Sequence, residues 1–110
     1  MLILFDNGTP LGLARSLVGH IVEEARLRGW EELVNGELID AAELVGFEVL
    51  VTTDKNIRYQ QNLTGRKISL VVLGNSQWPM VKLVVASIVA AVSSATPGSY
   101  IEIAVPFKRR

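Results

Sequence analysis

Three acids carry the chemistry open to this chain. Asp6 follows the apolar run Leu2 to Phe5, Asp54 follows Val49 to Thr53, and Glu37 stands in the first turn of a helix predicted from about Gly36 to Val45. Strands of a parallel sheet all end on one edge, so acids that follow two of them share that edge. A helix linking those strands starts there too, and open α/β sheets bind ligands along it. Carboxylates gathered this way repel and raise one another's pKa, a conflict that a cation or a proton relieves. With His20 as its one histidine and no cysteine, the chain lacks the ligands of a zinc cluster and the nucleophile of thiol chemistry. Oxygen donors alone suit Mg²⁺ or Mn²⁺. Asp40 shares a helix side with Glu37 and is a spare donor, or simply part of a solvated face. Each acid has a plain structural use as well: Asp6-Asn7-Gly8 is a turn sequence, Asp54 can cap a short helix, and Glu37 favours a helix dipole.

Downstream of Asp54 come Lys55, Arg58, Tyr59, Arg66 and Lys67, with Gln60, Gln61 and Asn62 among them. On the same edge as the acids, that mixture suits single-stranded RNA, with cations for phosphates and Tyr59 for stacking on a base. A solvated loop is the ordinary alternative. Arg15, on the predicted first helix, is another cation able to face the site.

The elements that must position these residues alternate between short apolar runs and helical patterns. Strands are predicted at Leu2–Phe5, His20–Ala25, Val49–Thr53, Ile68–Leu73 and Tyr100–Val105, the second an edge because of its two glutamates. Thr9 and Pro10 read as N-cap and first position of a helix to Val18, and Gly46 closes the helix of Glu37. Lys55 to Leu63 is polar, with one or two helical turns. Asn75 or Ser76 caps a helix from about Trp78 to Ser93. This order gives a three-layer α/β/α sandwich with a largely parallel sheet. No linker or repeat divides the chain, so residues 1–110 form a single domain.

Composition excludes other classes. At 110 residues, 49% apolar and without cysteine, the chain builds one core without staples. Eleven basic side chains balance eleven acidic ones, so no whole-molecule field draws it to nucleic acid or membranes, and any RNA contact is local. The apolar segment Met80 to Ala95 is shorter than a membrane span and carries Lys82. The first residues lack the features of a secretory leader, which predicts a cytoplasmic protein. Val81, Leu83, Val84, Val85, Ile88, Val89 and Val92 surround nearly the whole predicted helix, more than one sheet face uses. That pattern predicts a homodimer through residues 80–93, or a partner protein there.

Leu-Phe-Asp-Asn-Gly-Thr-Pro at 4–10, Leu13-Ala14-Arg15, Asn35-Gly36-Glu37-Leu38 and Val-Leu-Val-Thr-Thr-Asp-Lys-Asn at 49–56 resemble the small bacterial PIN-like domains, from residue 1 to about residue 75. That resemblance implies a PIN-like fold with Asp6, Glu37 and Asp54 as metal-site acids holding Mg²⁺ or Mn²⁺. The implied activity is endoribonucleolytic hydrolysis of single-stranded RNA, as in the toxins of toxin–antitoxin pairs, with an antitoxin protein as partner. Asn7, Asn35 and Asn56 stand where relatives often carry acids, which makes the site lean, since amide oxygens coordinate without adding charge. The alternative is a noncatalytic PIN-like module acting through protein contacts. A receiver-type phosphoacceptor fits less well. It needs a second acid after the first strand and a hydroxyl after the fourth, where this chain has Gly74-Asn75.

Overall fold

The computed structural model describes residues 1–33, 35–55, 57 and 63–107, with Asn35 described by its backbone. The expectations for Asn56, Arg58, Tyr59 and the Asn35 side chain lie outside the described residues. Those residues form one parallel sheet of β1 (Leu2–Phe5), β2 (Ile21–Glu24), β3 (Val49–Thr52), β4 (Ser69–Leu73) and β5 (Tyr100–Ile103), ordered β2-β1-β3-β4-β5. Phe5 lies opposite Glu24 on one side and Val51 on the other, and Val51 lies opposite Val71.

The apolar runs of β1, β3 and β4 arise because both sheet faces are covered. Ile3, Phe5, Val49, Val51, Val71 and Leu73 pack on one face against Leu13, Leu17, Val81, Ile88 and Val92. Leu4, Leu50, Leu70 and Val72 pack on the other against Leu38, Ile39 and Ala42 of helix α1 (Asn35–Val45), with Phe47 and Ile57. This is the three-layer α/β/α arrangement. Gly46, at φ 108°, ends α1, and the Phe47 N–H returns to the Ala42 carbonyl at 3.0 Å, the left-handed closure that glycine adopts without strain.

Two predicted helices differ from expectation. The first is a 3-10 segment, Leu11–Ser16, with no side-chain cap. Thr9, the expected cap, instead donates its hydroxyl to the Val51 carbonyl at 2.9 Å, so it ties the turn to β3 rather than to the helix. The second breaks into α2 (Trp78–Val81), a 3-10 turn (Lys82–Val84) and α3 (Val85–Ser93). The break re-phases the apolar positions: Val81, Ile88 and Val92 are buried, and Val84, Val85 and Val89 pack against the same cluster. Outward stand Lys82, Ala86, Ser87, Ala90 and Ser93, with Leu83 the one large apolar side chain among them. The apolar face from which a homodimer was expected is therefore spent on the sheet.

At the amino end of β4, Glu43 of α1 accepts from the Lys67 and Ile68 N–H groups at 2.7 and 3.2 Å. Arg66 Nη1 donates to Glu43 at 2.6 Å and to Asp40 at 2.7 Å. Burial pushes the Glu43 carboxyl up, but the hydrogen bonds from Arg66, Lys67 and Ile68 outweigh it, and the net shift is downward. A lowered acid contributes stability above its ordinary pKa, and that stability is lost as pH falls through the lowered value. Glu43→Gln is expected to cost about 1–3 kcal/mol at neutral pH and to flatten the acid limb of a plot of unfolding free energy against pH. Urea denaturation measures both, and parallel acid limbs for the two proteins would refute the assignment.

Candidate metal site at the carboxyl edge of the sheet

From β1 the chain steps first to β2 on one side and then to β3 on the other, which makes the β1/β3 seam the switch point of the sheet. A crevice opens at the carboxyl ends of such strands. The sequence fills that position with Asp6 and Asp54. The Asp6 N–H donates to the Val51 carbonyl at 3.0 Å, which extends the ladder by one residue, and the Thr9 N–H closes a turn onto the Asp6 carbonyl at 3.1 Å. Gly8 takes φ 89° in that turn, a conformation that favours glycine, and a Cβ there would sit a tight 3.2 Å from Thr53 Oγ1.

Thr52, fully buried at the end of β3, joins the two acids. Its hydroxyl donates to Asp6 Oδ2 at 2.7 Å and accepts from the Asp54 N–H at 3.1 Å. The other Asp6 oxygen accepts from the Asn7 N–H at 2.8 Å. Burial pushes the Asp6 carboxyl above its ordinary pKa; the Thr52 and Asn7 hydrogen bonds pull it down, the charge of Asp54 pushes it up, and the net shift is upward. Among the described residues no cation pairs with Asp6. Arg26, which borders the same hollow of about 330 Å³ with Glu24, is paired with Glu24 at 2.9 Å.

The remaining predicted residues divide. Glu37 is exposed in the first turn of α1, yet among the described residues no three His, Asp or Glu side chains converge closely enough to hold an ion. Asn7 donates its amide to the Glu31 carbonyl at 2.9 Å, which leaves its oxygen as the end open to a ligand. Asp40, the other candidate donor on α1, is paired with Arg66 at 2.7 Å. Arg15 is exposed in the last turn of the 3-10 segment and is not among the residues lining the hollow. Lys55 stands on the acid rim beside Asp54, its Nζ 5.0 Å from the Phe107 ring centre. Arg66 and Lys67 precede β4 and so lie at the opposite, amino edge, a correction to the single basic platform expected from the sequence.

Mg²⁺ is commonly held by one or two carboxylates, several waters and substrate phosphates, so Asp6, desolvated by burial, with the charge of Asp54 near it, supplies donors of a fitting kind. Sequence reasoning missed Thr52, Arg26 and Phe107. For Thr52 the available signal was a polar residue ending an otherwise apolar strand. Comparison of the chain with models of known families, with curated proteins and with solved structures found no match.

Proposed function

We propose that the protein is a metal-dependent endoribonuclease that hydrolyses single-stranded RNA at the β1/β3 rim. The observation that carries this reading is the Asp6 carboxylate, desolvated, facing the charge of Asp54 across the switch point and unpaired with any cation among the described residues. Asp6 and Asp54 hold Mg²⁺ or Mn²⁺. When bound, the ion supplies an acidified water and neutralises charge on the phosphoryl oxygens. Thr52 fixes the Asp6 rotamer and, through the Asp54 N–H, the spacing of the two acids. Asn7 offers a neutral oxygen, and Glu37, at the start of α1 on this edge, orients the attacking water. In the reaction a water oxygen bonds to phosphorus as the bond to the leaving ribose oxygen breaks, and the proton lost by the water is balanced by one taken up by that oxygen.

The second reading, a noncatalytic module, draws on the absence of a three-acid group among the described residues. Labelled single-stranded RNA incubated with Mn²⁺ separates the two. Asp54→Asn is expected to slow cleavage about 100-fold or more, since each 1.36 kcal/mol of lost transition-state stabilisation is tenfold and a catalytic metal supplies several kcal/mol. Wild-type protein that neither cleaves nor gains melting temperature from Mn²⁺ is the noncatalytic module.

A further inference from the structure

A second hollow, of about 270 Å³, opens on the same rim, bordered by Lys55, Gly74, Glu102 and Phe107. Its parts come from the carboxyl ends of β3, β4 and β5, next to the acids, because Lys55 follows Asp54 directly. Phe107, on the border of this hollow, is 68% exposed. The segment bearing it is anchored, since Asn75 Nδ2 donates to the Pro106 carbonyl at 3.1 Å and the Gly74 N–H to the Ile103 carbonyl at 3.0 Å. A Cβ on Gly74 would meet the Val105 nitrogen at 3.2 Å, so glycine keeps this seam open. The Glu102 carboxylate accepts from the Tyr100 hydroxyl at 3.0 Å, one of about four lone-pair positions such a group offers.

Resting on the ribonuclease reading, we propose that this hollow is a base subsite for the nucleotide beside the cleaved phosphate, selective for bases with an exocyclic amine. Phe107 stacks on the base, Lys55 swings off the face of the Phe107 ring, over which its Nζ stands at 5.0 Å from the centre, to meet the adjoining phosphate, and Glu102 accepts from the amine. An aromatic platform beside a cation is the usual means of holding a single strand, and a carboxylate accepts from cytosine N4 but repels the carbonyl oxygen that uracil carries there. The strand then runs across the carboxyl edge from the Asp6–Asp54 pair toward β5.

The full chain in a chelator, titrated with fluorescent oligo(C) and oligo(U), tests this by anisotropy. Oligo(C) is expected to bind about 10-fold more tightly than oligo(U). Phe107→Ala should weaken both about 10-fold, from the loss of stacking, and Phe107→Trp should restore binding. Glu102→Gln should erase the preference for cytosine. Phe107 is mostly exposed, so these variants should melt like the wild type. A wild-type rise in melting temperature with Mn²⁺, together with Phe107→Ala binding that matches wild type, overturns the subsite and leaves the metal reading standing. Loss of binding in Phe107→Ala without any Mn²⁺ effect on wild type overturns the metal reading and leaves the subsite. A wild-type chain that binds neither oligonucleotide overturns the subsite outright.

Discussion

Asp6→Asn is expected to abolish metal-dependent cleavage, by about 100-fold or more, and at the same time to stabilise the metal-free protein at neutral pH. The two effects have one cause. Burial and the charge of Asp54 hold the Asp6 pKa above its ordinary value, so the folded protein takes up the proton more readily than the unfolded chain. Stability is then greatest below the ordinary carboxylate pKa, falls as pH rises through the raised value, and stays at the lower level above it. An uncharged amide removes that fall. It can also keep the local bonds: its oxygen accepts from the Asn7 N–H, and its NH₂ can donate to Thr52 Oγ1, a hydroxyl oxygen with two lone pairs. Melting curves in a chelator between about pH 3 and pH 8 should coincide at the acid end and separate upward, the variant being the more stable. Curves that stay parallel across the range would show that Asp6 bears no conflict for an ion to relieve.

The parts of this site legible in the sequence are those that follow from two-face burial. Leu2 to Phe5, Val49 to Thr52 and Ser69 to Leu73 are so continuously apolar that only central parallel strands accommodate them, and the acids after the first two then fall on one edge. What failed depended on where connections travel. The segment after Asp54 leaves the carboxyl edge but must reach the amino edge before β4 begins, so Arg66 and Lys67 finish on the far side from Lys55, paired there with α1 rather than with a ligand. Thr9 had two uses for one hydroxyl, and the sheet carbonyl of Val51 prevailed over the helix. The apolar residues from Val81 to Val92 suggested an uncovered face because the pattern was read on one unbroken helix. The 3-10 turn at Lys82–Val84 turns both of its flanks toward the core. The layer that takes this helix was also beyond reach. The β1–β2 and β4–β5 connections lie on the same face yet step in opposite directions across the sheet, so they have opposite hands, whereas the preference for right-handed crossovers would have placed them on opposite faces.

Gly12→Ala is expected to destabilise the fold by about 1–3 kcal/mol, an overpacking effect, although glycine to alanine within a helical segment ordinarily gains about 0.4–1 kcal/mol. The reversal of sign comes from Trp78. A Cβ at position 12 would lie 2.6 Å from Trp78 Cε2, 2.8 Å from Cζ2 and 3.0 Å from Cδ2, all inside van der Waals contact. The indole has only two side-chain torsions, is packed against the buried cluster of that face, and is followed at once by Pro79, so it has little freedom to withdraw. This contact presses the first connection, which carries the Asp6–Thr9 turn, against α2, the element that leads the β4–β5 crossover onto the shared face. Trp78→Ala alone should cost less than the roughly 3–5 kcal/mol of a fully buried ring, because the side chain is only half-buried. With the ring gone the extra methyl has room, so Gly12→Ala made in that background should be neutral or mildly stabilising. The double-mutant cycle by urea denaturation should then show a coupling of about 1–3 kcal/mol, as residues in direct contact do. Additive losses would mean that the indole moves aside at no cost and that the two connections are not held together at this point.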